Sequence, residues 1–346
     1  MLTIKDIARL AGVSTATVSK VLNDYHDVSQ DTKDKVKKIM KEHNYRPNST
    51  ARSLSTNQSY TIGLFFTDHY NTGIQHPFFR EVIFGLEKYL GQNGYDLLYF
   101  ANKTWGDSFS YVEKCKDRHV DGVVLMGIKK DDINLNKLLQ SHIPSVFVDL
   151  DMSGKNASYV MSDNIKGAET AVRYLYNLGH RKIGMVTGLP NTKATHDRLI
   201  GYQRMIKKLD LNYNTGWIFS GEYTEKSGYQ AMEKILSVKN RPTAVFCHSD
   251  SLAIGAMRAI KDVGLKVPED ISLIGFDDID LSRYVTPKLT TIAQNKKLLG
   301  QKAADLLMKI IDQGGNSPAP VLLPVKLKKR ESCSKLNKER SSNRYE

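Results

Sequence analysis

Hydrophobic residues recur at helical spacing in three short groups near the start of the chain. Two of the groups lie within residues 4–22 and the third within residues 36–40. Spacings of three and four residues place such side chains on one helix face, so the pattern predicts three short helices around a small core. Thr3 and Ser29 stand where the first and third helices would begin, and their side chains can accept hydrogen bonds from the free N–H groups there.

After Thr61 the pattern changes to short apolar runs that alternate with amphipathic stretches. Such runs are typical of buried parallel strands, and their alternation with helices is typical of βαβ units in an α/β fold. For roughly 270 residues, two doubly wound lobes are favoured over one sheet. The predicted strands are 62–66, 95–100, 122–126, 145–149, 182–187, 243–247 and 272–276, and the predicted helices are 78–90, 164–178, 199–209, 251–263 and 296–311.

Charge is concentrated at the two ends of this chain of 346 residues, whose net charge is +13. Residues 1–60 contain ten Lys or Arg against six Asp or Glu, and residues 326–346 contain eight against three. A basic excess favours a polyanion such as nucleic acid or an anionic membrane surface, although surplus lysines are also common on solvated surfaces. Charge alone leaves these alternatives open.

Cysteine usage and hydropathy bear on the compartment. The three cysteines are widely spaced and form no C-x-x-C pair, which argues against a disulfide scaffold and a zinc site and fits a reducing cytoplasm. The N-terminus lacks the apolar region of an export signal, and no stretch approaches the roughly 18 apolar residues of a membrane span. We expect a cytoplasmic protein with no membrane partner, no metal and no cofactor.

Residues 3–23 read as a helix, a turn at Gly12 and a second helix that starts at Ser14. This is the pattern of a helix-turn-helix, whose second helix enters the major groove of DNA. Short polar side chains and a lysine there can bind phosphates and base edges. The alternative is a three-helix cap packed on a larger domain. The predicted DNA contacts in this part are Thr3, Ser14, Thr15, Ala16, Thr17, Lys20 and Asn23.

The same stretch resembles the head of the lac repressor family, in which T-x-x-D-[IV]-A-x-x-A-G-V-S-x-x-T-V-S-x-x-L-N recurs, and every fixed position matches. The resemblance continues through the family's Y-x-P-N-x-x-A-R-x-L hinge. It implies a hinge helix that forms on DNA and wedges Leu54 between base pairs in the minor groove. The family commonly has Arg at the position of Lys20, which leaves the operator sequence open. The predicted hinge contacts are Asn48, Ala51, Arg52 and Leu54.

The rest of the chain also resembles this family, whose body is similar to periplasmic sugar-binding proteins, with two lobes joined by three crossovers around a cleft. Residues 332–346 are basic and polar, so we expect a disordered tail there. The resemblance implies a helix-turn-helix domain at 1–45, a hinge helix and linker at 46–60, and an effector-binding and dimerisation body at 61–331, with lobes at 61–161 plus 293–321 and 162–292 plus 322–331.

Effector contacts are expected where the family's motifs fall at strand ends, at residues 76–79, 197–202 and 274–278. A carboxylate and a guanidinium that face one cleft can grip vicinal hydroxyls through charge-assisted hydrogen bonds. Core or surface-turn roles remain the alternatives. Ser249 and His76 stand where the family commonly has Asn, which leaves the effector's identity open. The predicted contacts are Asp149, Arg198, Tyr223, Ser249 and Asp277, and Phe66 and Trp105 could offer aromatic faces to a sugar ring.

These features together predict a sequence-specific transcriptional regulator. We expect a homodimeric repressor of carbohydrate-utilisation genes, controlled at a pseudo-palindromic operator by a sugar or sugar phosphate bound between the lobes. One alternative is a solute-binding protein for transport, which the head and the missing signal peptide oppose. Another is a regulator whose co-regulator is a phosphorylated carrier protein.

Motifs of the common enzyme classes are absent from the sequence. There is no G-x-S-x-G elbow, P-loop, H-E-x-x-H motif or G-x-G-x-x-G after a strand, so we expect no enzymatic activity. The tail after Pro324 shows no leucine heptads that would zip dimers into tetramers. A dimer is therefore the expected assembly.

Overall fold

The computed structural model describes residues 2–22, 25–45, 58–66, 73–100, 109–314 and 317–336. The chain divides into two compact units, 1–60 and 61–346. Each unit has hydrophobic clusters of its own.

The first unit contains the three predicted helices, α1 (Ile4–Ala11), α2 (Thr15–Leu22) and α3 (Gln30–Glu42). Gly12 lies between the first two at φ +65°, a left-handed conformation that a residue without a Cβ adopts readily. The apolar groups seen in the sequence pack together, so the prediction of a three-helix core is confirmed. The buried members of this core are Ile7, Ala8, Ala11, Val18, Val21 and Val36.

Two six-stranded sheets, each mostly parallel, organise the second unit, which confirms the predicted α/β class with two lobes. The first lobe contains β1 (Thr61–Phe66), α4 (Phe79–Gln92), β2 (Asp96–Phe100), α5 (Tyr111–Asp117), β3 (Gly122–Met126), α6 (Asn134–Leu139), β4 (Ser145–Val148) and β5 (Ala157–Ser162). The second lobe contains α7 (Asn164–Asn177), β6 (Ile183–Thr187), α8 (Lys193–Lys208), β7 (Ile218–Ser220), α9 (Glu225–Ser237), β8 (Ala244–Cys247), α10 (Asp250–Asp262), β9 (Ser272–Asp277) and β10 (Thr290–Ala293).

The last part of the chain returns to each lobe in turn. Helix α11 (Lys296–Asp312) and strand β11 (Val321–Leu323) join the first lobe, and strand β12 (Lys326–Lys328) joins the second. The first sheet has the order β11-β5-β4-β3-β1-β2 and the second β12-β10-β9-β8-β6-β7. The chain thus crosses between the lobes three times, after β5, β10 and β11.

The predicted lobe bounds need a small correction at β11. Residues 322 and 323 were expected in the second lobe, but they pair with Met161 and Ser162 in the first sheet. Their hydrogen bonds to β5 continue those of Val321, so the crossover to the second lobe comes after Leu323. Two further bounds shift by one residue, because Ser162, expected in the second lobe, ends β5 in the first sheet, and Ala293, expected in the first lobe, ends β10 in the second sheet.

The prediction of a disordered tail from Ser332 onward is wrong for residues 332–336. Ser332 is fully buried, and its hydroxyl donates to Leu273 O at 2.6 Å. Ser334 N donates to Ser272 Oγ at 3.1 Å, and Leu336 N donates to Leu178 O at 2.8 Å. The polar side chains that suggested disorder instead complete hydrogen bonds along the second sheet, and residues 337–346 lie outside the described part of the chain.

Candidate functional site

The predicted DNA-contacting side chains of the helix-turn-helix are mostly exposed. Ser14, Thr15, Ala16 and Lys20 are exposed, and Thr17 is half-buried. The apolar side chains of α2 turn inward to the core, so its polar side chains are left for a partner. This is the division that a recognition helix requires.

Two hydroxyl groups hold the first turn of α2. Ser14 Oγ accepts a hydrogen bond from Thr17 N at 3.0 Å and lies 2.9 Å from Thr17 Oγ1. Thr3 has a similar position at the start of α1, where it forms a capping box with Asp6. Caps of this kind satisfy N–H groups that would otherwise lack partners. Thr3 and Ser14 therefore shape the helix starts, whatever they contact on DNA.

Lys20 is already paired within the head. Its ammonium forms a hydrogen-bonded ion pair with Asp27, which lies in the loop before α3. The hydrogen bond from Lys20 holds the pKa of the Asp27 carboxyl below its ordinary value. Both side chains are exposed. Sequence reasoning missed Asp27, because seven residues separate it from Lys20 and no motif links the two.

Several predicted residues lie outside the described part of the chain and remain predictions. They are the helix-turn-helix contact Asn23, the aromatic Trp105 and the hinge contacts Asn48, Ala51, Arg52 and Leu54.

A cavity of about 740 Å³, part of it open to solvent, lies between the two lobes. Four of the five predicted effector residues line it, namely Asp149, Arg198, Tyr223 and Asp277. Asp149 follows β4 in the first lobe and Asp277 ends β9 in the second. The carboxyl ends of parallel strands are the usual ligand site of open α/β sheets. The structure therefore brings these four residues together where such a ligand would bind.

Arg198, on α8, is held on several sides. Its Nε donates to Asn164 Oδ1 at 2.8 Å, and its Nη1 donates to His248 O. Its Nη2 lies 3.7 Å from Asp277 Oδ1, and the guanidinium stands 3.7 Å above the centre of the Phe276 ring. The side chain is buried. Such a rigid, planar cation fixes the direction of every hydrogen bond that it makes.

Two buried carboxylates face this guanidinium. Burial raises the pKa of Asp149 to about 6, with the charge of Arg198 opposing the shift and that of Asp277 adding to it. Burial likewise raises the pKa of Asp277 to about 6, against the lowering effects of Arg198 and of Gln294. Gln294 Nε2 donates to Asp277 Oδ1 at 2.7 Å. Strongly shifted acids in a cleft are typical of functional sites.

Two acceptor atoms at the cavity have no hydrogen-bond partner among the described residues. They are Asp149 Oδ1 and Gln294 Oε1, and both are buried. Buried polar atoms in folded proteins nearly always have a partner, and leaving one unpaired costs about 1–3 kcal/mol. Both atoms can only accept hydrogen bonds. A ligand that donates hydrogen bonds would therefore satisfy both atoms.

Backbone strain is concentrated at the same residues. Asp149, Tyr223 and Asp277 have φ values of +58°, +59° and +111°. Positive φ is uncommon in residues other than glycine and costs about 1–3 kcal/mol where the surroundings impose it. Three of the residues that line the cavity therefore hold their side chains in place at the expense of local stability.

The ring of Tyr223 packs directly against Gly188 at the cavity. Its hydroxyl lies 2.6 Å from Thr195 Oγ1. A Cβ built on Gly188 would come within 2.0 Å of the Tyr223 ring. Gly188 therefore makes the room in which the ring lies, and any side chain there would displace it.

Ser249 is not among the residues that line the cavity. Its hydroxyl accepts a hydrogen bond from Leu252 N at 3.2 Å and caps α10. The next residue, Asp250, accepts hydrogen bonds from Ile279 N at 2.8 Å and Thr291 Oγ1 at 2.5 Å. Asp250 thereby fixes the loop that follows Asp277. The structure gives this segment a supporting position behind the cavity.

The aromatic wall of the cavity comes from the first lobe. Phe66, Phe78 and Phe79 line it together with His76. The rings of Phe66 and Phe79 are 4.8 Å apart, and those of Phe78 and Phe79 are 5.0 Å apart. Aromatic faces of this kind pack well against the apolar face of a flat ring.

Sequence reasoning missed three polar residues of the cavity, Gln294, Thr192 and Lys193. Gln294 follows β10, a strand of four residues with two threonines, which gave no apolar run to mark it. Lys193 begins α8, whose predicted start was Leu199. The signal for the true start was Thr192, which caps the helix by accepting from Thr195 N.

Comparisons with known proteins agree with this arrangement. A model of bacterial regulatory proteins of the lacI family matches residues 3–48, and a periplasmic-binding-protein-like model matches residues 172–333. The HTH-type transcriptional repressor PurR of Vibrio vulnificus is 36% identical over 97% of this chain and 100% of its own. The chain belongs to the lacI family. It is a DNA-binding transcriptional regulator and not an enzyme.

Other lacI-family members match over similar lengths. The ribose operon repressor of Haemophilus influenzae is 36% identical over 97% of this chain and 100% of its own. A lac repressor dimer bound to operator and an anti-inducer has a TM-score of 0.80 at 29% identity, over 96% of this chain and 99% of that one. An Enterococcus faecium regulator with bound ribose has a TM-score of 0.69 at 28% identity, over 80% and 100%.

The described residues contain neither a membrane-spanning helix nor a cluster of metal ligands. None of the described helices is long and apolar enough to cross a bilayer. Within the same ranges, no group of three or more His, Cys, Asp or Glu side chains is arranged to hold a metal ion.

Proposed function

We propose that the protein is a cytoplasmic repressor of carbohydrate-utilisation genes, controlled by an uncharged sugar bound between its two lobes. Its helix-turn-helix reads one half of a pseudo-palindromic operator, and a homodimer supplies the second reader. The effector changes operator affinity because it binds the two lobes of the body and biases their arrangement.

One observation carries the effector class. Asp149 Oδ1 and Gln294 Oε1 are buried acceptors to which no described residue donates, and they lie beside an arginine whose donors are largely engaged. Sugar hydroxyls donate hydrogen bonds to such atoms and can accept from the remaining Arg198 Nη2. The aromatic wall of Phe66 and Phe79 suits the apolar face of the sugar ring.

The charges of the site favour an uncharged ligand over a sugar phosphate. Arg198 lies 3.7 Å from Asp277, and Lys193 lies 2.8 Å from Asp197 and 3.3 Å from Asp151. Both cations that the described residues bring to the cavity thus already face carboxylates. A bound phosphate would need further hydrogen-bond donors from the protein. Its negative charge would also be repelled by the carboxylates of Asp149 and Asp277.

The named relatives support the same class. A ribose operon repressor and a regulator with bound ribose match this chain over most of their lengths. The lac repressor structure is a dimer on its operator, which supports the assembly proposed here. For the DNA interface we keep the predicted contacts, including Asn23 in the head and Asn48, Ala51, Arg52 and Leu54 in the hinge.

The function can be tested in two steps with the full chain. Selection from a random duplex library should yield inverted half-sites. Thermal melting should then be followed with pentoses, hexoses, disaccharides and their phosphate esters. We expect at least one free sugar to raise the melting temperature by several degrees and its phosphate ester to have little effect. The variant Arg198→Met should lose the response.

Other outcomes would redirect the assignment. A shift with the phosphate ester but not with the free sugar would overturn the uncharged class. The absence of any shift, together with operator binding that changes only when a phosphorylated carrier protein is added, would replace the sugar by a protein partner.

A further inference from the structure

One ion pair joins the two lobes at the margin of the cavity. Lys193, the first residue of α8 in the second lobe, places its Nζ 2.8 Å from Asp197 Oδ1 on the same helix. The same Nζ lies 3.3 Å from Oδ2 of Asp151, which follows β4 in the first lobe. Lys193 also lines the cavity. Its ammonium therefore bridges the lobes beside the place where the effector would bind.

The bridge is shielded from solvent more than ordinary surface pairs. The side chains of Lys193, Asp151 and Asp197 are 20%, 26% and 7% exposed. Arg80 and Asp280 also form a pair between the lobes, at 3.5 Å, but they are 54% and 66% exposed. Fully exposed ion pairs contribute little because water screens them, whereas partly buried pairs keep more of their attraction. Of these two ion pairs, the Lys193 bridge is the more shielded and can contribute more to holding the lobes together.

The shifted pKa values of Lys193 and Asp151 keep both groups of the link between the lobes charged at neutral pH. Burial alone would lower the pKa of Lys193, but its hydrogen bonds to Asp197 and Asp151 raise it above the ordinary value. For Asp151, burial is outweighed by Lys193 and Lys130, which hold its pKa below the ordinary value. The ion pair is therefore intact under the conditions in which a repressor works.

We propose that Lys193 is a positioning residue of the effector site, whose ion pair with Asp151 clasps the lobes across the cavity and slows the escape of a bound sugar. The proposal rests on the proposed function in that the cavity holds the effector. The clasp itself involves protein atoms alone, so it acts on the separation of the lobes with or without ligand.

Lys130 supplies a matched control for the experiment. Its Nζ lies 3.3 Å from Oδ1 of Asp151, and both residues belong to the first lobe. Removing Lys130 takes a positive charge from the same carboxylate without cutting the link between the lobes. Removing Lys193 leaves Asp151 paired with Lys130 but takes from Asp197 its hydrogen-bonded cation. The Asp151→Asn background separates that loss from the loss of the link between the lobes.

The first measurement needs no ligand. Spin labels at exposed positions 136 and 226 report the distance between the lobes in the full chain. We expect Lys193→Met and Asp151→Asn to lengthen or broaden the distance distribution, and Lys130→Met to leave it as in the parent. Unchanged distances in Lys193→Met would overturn the clasp, whether or not any sugar binds.

The second measurement uses D-ribose as the probe, with dissociation followed by stopped flow. We expect Lys193→Met to speed dissociation about five- to tenfold and to change the association rate less than about twofold. In the Asp151→Asn background, Lys193→Met should change the dissociation rate at most about twofold, because the partner of Lys193 in the first lobe is already gone. Equal effects of Lys193→Met in both backgrounds would overturn the proposal.

The two measurements separate the clasp from the effector class. If D-ribose fails to bind the parent chain, ribose is excluded as the effector and the other sugars of the melting screen decide the sugar class, while the lobe distances still decide for or against the clasp. If D-ribose binds and leaves at the same rate from the parent and from Lys193→Met, the clasp fails and the sugar assignment stands.

Discussion

The recognition helix and the cavity use polar side chains in opposite ways. On α2, Thr15, Ala16 and Lys20 are exposed to solvent. In the cavity, Arg198 and Asp277 are buried within a network of hydrogen bonds. A surface that must meet DNA has to stay open, so its charges are screened by water and salt. A site that encloses a small ligand can fix its polar groups in advance. Each of these groups then contributes more to binding than an exposed group does.

The largest effect on sugar binding and stability is expected from Arg198→Ala. Removal of the guanidinium takes the buried cation from Asp277 and the donor from Asn164 Oδ1, and breaking a buried ion pair in this way costs about 3–5 kcal/mol. We expect a loss of sugar affinity of at least about 100-fold and a lower melting temperature. Calorimetric titration and thermal melting measure the two effects.

The control for Arg198 is Arg258, which is 78% exposed and 3.8 Å from Asp262. The variant Arg258→Ala should change stability by less than about 0.5 kcal/mol and leave sugar binding intact. Equal losses in both variants would contradict the contrast between buried and exposed charge.

A second test exploits the raised pKa of Asp149. The folded pKa is about 6 against an ordinary value of 3.8, so the folded state holds this proton more tightly than the unfolded state. The resulting stability is complete at low pH and is lost as pH rises through about 6. The free energy of unfolding of the parent should therefore fall relative to Asp149→Asn by about 2 kcal/mol between pH 4 and pH 8.

The same variant should bind the sugar about tenfold or more weakly, because an unpartnered carboxylate oxygen is lost. Asp149→Asn would then be more stable at pH 8 and less functional, as expected for a site that stores strain. Chemical denaturation over this pH range provides the measurement. A difference in unfolding free energy that does not vary with pH would contradict the burial of this charge.

At the head, Lys20→Ala should have a smaller effect that depends on salt. Loss of one cation at the DNA interface should weaken operator binding about tenfold at low salt. It should also reduce the slope of log K against log salt by about one. Lys207→Ala, at an exposed position of the body, should leave the slope unchanged. A tenfold loss that persists at high salt would show that Lys20 acts by something other than charge.

The smallest effect is expected from Asp27→Asn. Asp27 pairs with Lys20 and brings a negative charge to the same part of the head. Because exposed pairs are weak, its removal should tighten binding to random duplex DNA by only about two- to fivefold. Fluorescence anisotropy at several salt concentrations measures this change. Weaker binding instead would mean that Asp27 holds Lys20 in its productive position.

The structure also shows which features can be predicted from sequence. The three helices of the head, the caps of the first and third, and the turn at Gly12 were predicted, because they depend on residues within a few positions of each other. The pair of Lys20 with Asp27 was not. The seven predicted strands of the body are present as well, since apolar runs mark strands that are buried on both faces. Strands β5, β7, β10 and β11 were missed, because they are short or carry polar residues that only the fold buries.

For the cavity, single residues were predictable and their relations were not. Asp149, Arg198, Tyr223 and Asp277 line the cavity as predicted, but their roles in binding remain proposals. Ser249 showed the limit, because a serine before a helix reads the same whether it faces a ligand or caps the helix. Pairs such as Lys193 with Asp151 depend on how the lobes meet, which local patterns do not encode.

The coupling between the two sites is tested most directly by operator affinity with and without the effector. The full chain and Arg198→Met are titrated onto the selected operator by fluorescence anisotropy, in the absence and presence of a saturating concentration of the sugar found by thermal melting. The account predicts a change in the operator Kd of the parent of at least about fivefold and no change in Arg198→Met. A sugar that binds the parent and leaves its operator Kd unchanged would contradict control through the cavity.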